Sequence, residues 1–502
     1  MSVSRVARNI SSGYAGAAVN GVVLLLLTPL VVRHLSPRAY GIWVLATAIG
    51  SYLGFLNAGS GAAGVRAVAR LAGTGRIGEA SRDVGSILRI YLAVGFLAGG
   101  ALTLLSLTTL DLFHVPPTEQ AETRALLILI ALNFLVSFPL GVTRSVLAGL
   151  HRFQLLNAVE IVWALLRLAA SAVFLEAGYG LLSLGGIQLA ASVGGHLTRW
   201  LAIRKVAPQI RLTGGPEWRG ISAEVSIFSA LSFGYESLRT LFDNADLLLL
   251  GILTGPAGVA VFGVGVTLAS FVSKGLQPIT GVLFPMASEM EALGRRSGSA
   301  RLLEVGTRVN IALALPLVTI LLVDGPTLLH LWVGAGFEQS YPVLFAFTLI
   351  NLMTAASLAS STLLFGSGRI GVLLIAEAAK YALNLALALV FYRWFGFTGV
   401  ALGTLVSVVV ADAGIVILRA SQWAGLDTSG FLVRSIGAPI LATLPLMILL
   451  AAWKSVSPAP SLPTVALRVV VCLAGFGLIY AVAGAFREER RLVGQVWAEA
   501  LR

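Results

Sequence analysis

The chain has 502 residues, 57% of them hydrophobic and 12% charged, with a mean hydropathy of +0.90. That composition excludes a soluble globular domain; at about 20 apolar residues per span, the length accommodates roughly fourteen membrane helices with short connections. The net charge of +12 is spread singly between apolar segments, with no dense basic run and no binding module, which argues against a nucleic-acid partner.

The first segment, "MSVSRVARNISSGYAGAAVNGVVLLLLTPLVV", places Arg5 and Arg8 ahead of an apolar run. Its small residues precede the strongest apolar core rather than follow it, so an uncleaved first span is expected. Further apolar runs fall near 39–60, 85–108, 124–143, 157–176 and 180–203, then 225–251, 257–280, 308–324, 341–365, 370–393, 397–419, 434–453 and 464–485. With the N-terminus inside, one set of alternate connections holds most of the arginines, including Arg66, Arg70, Arg144, Arg204, Arg295 and Arg369. The other set holds only Arg33, Arg38, Arg124, Arg393 and Lys454. This is the positive-inside pattern, and it predicts that both termini are cytoplasmic. Cys472, the only cysteine, lies in the last span and excludes an internal disulfide.

One span interrupts its apolar flanks with "YESLRTLFDNAD" (235–246). Glu236, Arg239, Asp243 and Asp246 follow one another in steps of three and four, hence on one helical face. A charge at mid-membrane costs roughly 2.5–3.5 kcal/mol on insertion scales, so this face is expected to meet protein or water rather than lipid. Other ionisable residues within spans are Arg89, Arg167, Lys380, Arg468 and Asp412. Arg89 and Arg468 stand near span ends, where snorkelling accounts for them. Glu160 lies seven residues before Arg167 on the same face, and Lys380 lies one turn from Glu377, so an ion pair within the helix competes with a substrate or proton site there. Arg239 and Asp243 are spaced to pair; Asp246 has no obvious local partner, and pairing across the bundle, with Arg167 for example, competes with a role in ion coupling.

The chain also repeats itself. "LAGLHRFQLLNAVE" (147–160) aligns without gaps on "LFGSGRIGVLLIAE" (364–377), matching Leu147, Gly149, Arg152 and Glu160 to Leu364, Gly366, Arg369 and Glu377. Registers shifted by a residue pair Asn133 with Asn351 and Gly180 with Gly396. In the same order at nearly constant offset, these matches predict two six-helix halves, 1–210 and 220–420, followed by two extra helices within 430–486 and a cytoplasmic tail, 487–502. Because six is even, the repeat is parallel, and such halves usually enclose a central cavity.

Three stretches carry a family resemblance: "TPLVVRHLSPRAYGIWVL" with "GVRAVAR" after the second span, "GLHRFQLLNAVEIVWALLRLA", and "DNADLLLLGILTGPAGVAVFGV". The chain resembles bacterial polysaccharide exporters and Wzx-type oligosaccharide-lipid flippases, whose superfamily includes the lipid II flippases and the MATE antiporters. It departs from the family pattern at Ser36, where glycine is usual, and at Arg38, where an acid is common. The resemblance implies an all-α protein of the bacterial inner membrane in which two bundles rock about a central cavity. They would carry an undecaprenyl-diphosphate-linked glycan outward, with the last two helices flanking a groove for the lipid tail. It also implies membrane lipids, polysaccharide polymerase or assembly proteins as partners, H+ or Na+ as coupling ion, and no cofactor. Arginine suits the diphosphate because its guanidinium presents a fixed fork of donors. Arg239, Arg167 and Lys380 are therefore the candidates for substrate binding, and Asp243, Asp246, Asp412, Glu377 and Glu160 those for coupling or gating. A membrane glycosyltransferase is disfavoured, because the outer connections 111–124 and 324–341 are short and neither His114 nor His330 has metal-ligand spacing around it. A drug antiporter or a lipid II flippase is the main alternative.

Overall fold

The computed structural model describes residues 3–54, 65, 68–69, 80–210, 223–292, 296–456 and 461–482. The basic connection carrying Arg66, Arg70 and Arg76 and the tail 487–502 lie outside them. The described residues are all-α. In chain order the helices are α1 (Val3–His34), α2 (Pro37–Leu53), α3 (Ala80–Thr108), α4 (Pro117–Leu140), α5 (Val142–Gly149), α6 (Phe153–Glu176) and α7 (Leu181–Val206). They continue as α8 (Ala223–Ala292), α9 (Arg296–Val333), α10 (Tyr341–Gly366), α11 (Ile370–Phe395) and α12 (Phe397–Ala411). Two π-helical segments, Asp412–Ile417 and Leu432–Gly437, flank the short α13 (Leu418–Ala424) and α14 (Thr428–Phe431). The chain then closes with α15 (Ala438–Val456) and α16 (Leu462–Val482).

Eleven stretches among the described residues are long and apolar enough to cross a membrane. Their outward faces carry large apolar side chains, such as Phe96, Leu97, Trp394 and Ile448, that water would not tolerate in this number. The chain is a multi-pass membrane protein. Two compact units divide it, Met1–Ala260 and Val261–Arg502. The division falls inside α8, so the first unit carries one more helical stretch than the sequence half 1–210.

In the first unit α3 packs on α4, α1 on α6, and α7 on both α4 and α6. Ser36 caps α2, its hydroxyl accepting from the Ala39 amide at 3.1 Å, with Pro37 preset for the first helical turn. Gly255, at φ +70°, breaks α8 immediately before Pro256, dividing the predicted 225–251 and 257–280. Gly41 of α2 lies against that corner so closely that a Cβ would land on the Pro256 carbonyl.

In the second unit α11 and α12 form a tight hairpin. A Cβ on Gly403 would approach the Ala388 amide at 2.7 Å, and one on Gly399 would meet the Phe391 carbonyl, so small residues four apart let the backbones touch. α9 packs on α10 and also on both C-terminal helices, through Ile320, Leu446, Leu450 and Cys472 among others.

The turns that open α6 and α11 share one backbone hydrogen-bond pattern. Leu150, His151 and Arg152 donate to Val146, Ala148 and Leu147; Ser367, Gly368 and Arg369 donate to Leu363, Phe365 and Leu364. The positive φ in each turn falls on His151 (+56°) and Gly368 (+74°), matched positions of the repeat.

α9 runs further than the sequence suggests. "DGP" at 324–326 reads as the start of an outer loop, yet the helix passes through it to Val333. Pro326 cannot donate to the Leu322 carbonyl, and the Tyr341 hydroxyl does so instead, at 3.0 Å.

Candidate functional site

Among the described residues of the second unit, a cluster of buried charge lies between α10, α11 and the first π segment. One turn of α11 presents Glu377 and Lys380, and Lys380 Nζ reaches Glu377 Oε1 at 2.8 Å. The same nitrogen lies 3.7 Å from Asp412 Oδ1, and the Ser357 hydroxyl donates to Asp412 Oδ2 at 2.8 Å. None of the four is more than 8% exposed. Asp412 is the first residue of the π segment Asp412–Ile417, a wide turn that shifts the phase of the side chains after it. The cluster brings two carboxyl groups to one amino group, a composition suited to a proton or a monovalent cation. One turn further along α11, Asn384 Nδ2 donates to Thr404 Oγ1 of α12 at 2.7 Å, both side chains buried. The spacing of Glu377 and Lys380 was visible in the sequence. That Asp412 joins them was not.

In the first unit the stripe of α8 is graded rather than uniform. Arg239 and Asp243 are exposed, Glu236 is half-buried, and Asp246 is only 6% exposed. Arg167 of α6 does not use Glu160, its same-face neighbour: Nη1 donates to Gln188 Oε1 of α7 at 2.9 Å. Glu160 instead meets Arg144 of α5 at 3.3 Å. Near it Arg199, which can only donate, bonds His196 Nδ1 at 3.0 Å, and Trp163 donates to Thr198 at 3.1 Å. A scan for charges overlooks Gln188 because glutamine is neutral.

A further buried pair corrects the sequence reading of Arg468. It does not snorkel. The side chain is 3% exposed and holds Asp324 in a two-point contact, Nη2 to Oδ1 at 2.8 Å and Nε to Oδ2 at 3.1 Å. Asp324, read from the sequence as a loop residue, is equally enclosed, and Lys454 donates to the neighbouring Val323 carbonyl. Residues from α9, α15 and α16 thus meet around one carboxylate.

Among the described residues no group of three His, Cys, Asp or Glu side chains is placed to hold a metal ion, and Cys472 is a buried free thiol. His330 lies 3.8 Å from Glu338 at a half-exposed position.

A family model described as polysaccharide biosynthesis protein matches residues 6–291. No curated protein sequence matches the chain. Among solved structures, the lipid II flippase MurJ in an inward closed conformation superposes with a TM-score of 0.67 at 12% identity, covering 96% of this chain and 98% of that one. An inward-facing multidrug resistance MATE family transporter of the MOP superfamily gives a TM-score of 0.67 at 15% identity, covering 83% and 98%. The MATE multidrug transporter DinF-BH, in a ligand complex, gives 0.64 at 17% identity, covering 85% and 98%. At these identities the likeness is one of fold.

Proposed function

Because this chain belongs to the polysaccharide biosynthesis protein family, we propose that it flips a polyprenyl-diphosphate-linked oligosaccharide across the bacterial cytoplasmic membrane by alternating access, coupled to H+ or Na+. It is a transporter rather than an enzyme. The observation that carries the reading is the exposure of Arg239 and Asp243 within an apolar membrane stretch, the part of Ala230–Gln277 that precedes the break at Gly255. Facing lipid, each charge would cost roughly 2.5–3.5 kcal/mol; facing an aqueous cavity, the guanidinium is a ready partner for a diphosphate. Asp246 and Asp243 stand on the same helix as gating acids, with Glu160, paired to Arg144, as a third, and Arg167, held by Gln188, is a second phosphate ligand. The Glu377–Lys380–Asp412 cluster is the coupling site: its two carboxyl groups suit it to a proton or a monovalent cation, and the adjoining π segment is the element free to change phase.

The topology that goes with this reading has fourteen spans, counting Ala230–Gln277 twice because of Gly255 and adding α2 and α7. It has two six-helix halves, 1–210 and 220–420, with both termini cytoplasmic, and α15 and α16 flank the path of the lipid tail. The shared turn at 146–152 and 363–369 supports the halves. The fold of the lipid II flippase MurJ supports a lipid-linked substrate, and lipid II itself belongs to that class. A MATE-like cation antiporter is the second reading, favoured by the excess of acid in the buried cluster and by the fold shared with the multidrug transporter DinF-BH.

The test is reconstitution in proteoliposomes with a fluorescent polyprenyl-diphosphate oligosaccharide, scored by its appearance in the opposite leaflet with and without an imposed proton or sodium gradient. Transfer is expected to need Arg239 and to lose its gradient dependence in Asp412→Asn. Absence of transfer together with efflux of a cationic dye would replace this reading with the antiporter.

A further inference from the structure

Among the guanidinium groups of the second unit that the transport reading does not use, two share one groove. Arg369, at the turn opening α11, lies 3.5 Å above the ring of Trp423 in α13, and Arg419 stands one turn before that tryptophan. Both line a groove of about 570 Å³ together with Val372, Ile375, Leu418 and the π-segment residues Gly414 and Ile415. Elsewhere in this unit Lys380 and Arg468 are buried against carboxylates, and Lys454 is bonded to a carbonyl. By contrast, neither groove guanidinium makes an ion pair or hydrogen bond among the described residues, and both are exposed. Ile375, on the apolar wall, is 64% exposed on a helix long and apolar enough to span the membrane.

Two unpaired guanidiniums beside an apolar, outward-facing wall match an anionic amphiphile whose phosphate and hydrocarbon lie side by side. A tryptophan at the junction is the side chain expected where headgroups meet hydrocarbon. The guanidinium fork matches a phosphodiester in geometry as well as charge. The lipid phase in which these helices sit supplies such molecules at high local concentration. We infer that this groove is a binding site for the headgroup of an anionic membrane phospholipid, separate from the residues proposed for transport.

Native mass spectrometry of the full chain, titrated with phosphatidylglycerol and with phosphatidylcholine, tests this. Phosphatidylglycerol is expected to be retained preferentially. Arg369→Gln and Arg419→Gln should each weaken it about fivefold and together about 25-fold, leaving phosphatidylcholine binding unchanged. The Arg369→Lys/Arg419→Lys pair, which keeps the charge, should bind more tightly than the double glutamine variant. Equal retention by wild type and the double glutamine variant would overturn the site. So would displacement by millimolar inorganic phosphate, which would identify a soluble-anion site, or retention of a polyprenyl diphosphate with no preference for phosphatidylglycerol, which would identify a substrate groove. An equal loss in the lysine and glutamine pairs would also overturn it, because charge would then not be what holds the lipid.

Discussion

The α6–α7 pair of the first unit and the α11–α12 pair of the second are built on one register but filled with different chemistry. The alignment that matches Arg152 and Glu160 to Arg369 and Glu377 continues to Trp163 with Lys380 and to Arg167 with Asn384; that of Gly180 with Gly396 continues to Gln188 with Thr404 and to His196 with Asp412. The contacts correspond as well. Arg167 bonds Gln188 where Asn384 bonds Thr404, across the same two helices. In the first pair the balance is basic, with Arg167 bonded to Gln188, Arg199 to His196, and Glu160 met by Arg144 of the neighbouring α5. In the second it is acidic and enclosed, with Glu377 and Asp412 around Lys380. The two helix pairs therefore admit polar side chains at corresponding places in their packing while the sign of those side chains differs.

The comparison is broken most severely at Lys380. Replacing it with Met strands two buried carboxylates and should cost about 3–5 kcal/mol, read as a large fall in melting temperature in detergent. The triple variant Glu377→Met/Lys380→Met/Asp412→Leu should regain much of that stability while showing no gradient-dependent transport. A comparable loss is expected for Arg468→Leu, with recovery in Asp324→Leu/Arg468→Leu; failure of the double variant to recover would mean that the pair does more than neutralise itself. A smaller contrast sharpens the comparison directly. Asn384→Leu, at a fully buried site, should cost about 1–3 kcal/mol by thermal unfolding, and its counterpart Arg167→Met, half-buried, under about 1 kcal/mol. The smallest effect belongs to a control outside both pairs. Asp427 caps α14, accepting from the Gly430 amide at 2.7 Å, and its hydrogen bonds from Ser429 and Gly430 hold its carboxyl below the usual carboxylate range. Because the folded pKa lies below the unfolded value, the stabilisation is full above about pH 4 and disappears as pH falls through the folded pKa. The melting gap between wild type and Asp427→Ala should therefore be constant near neutrality and close in acid.

Hydropathy made the helices legible, because each span must satisfy its own backbone and bury or shed its side chains in an apolar phase. The ion pair of Glu377 and Lys380 was legible for the same local reason, since residues three apart on a helix are neighbours. Contacts between distant segments were not. Nothing at Ser357 announces Asp412, and no residue pattern marks a π segment. Distance along the span misled at Arg468, whose place near a helix end suggests solvent. At Asp324 the turn-like "DGP" misled, because the groups that keep the helix intact, Tyr341 and Arg468, lie elsewhere in the chain.

The Asp324–Arg468 pair also sets an order of events during synthesis. Its two members are 144 residues apart, so α9 is made, and must enter the bilayer with its carboxylate unanswered, long before α16 leaves the ribosome. Lys454 of α15 is the first basic group to reach that carboxylate, and Arg468 of α16 then adds the two-point contact that encloses it. A chain that stops short of Leu462 is therefore incomplete in its middle as well as at its end, because Asp324 loses its two-point partner.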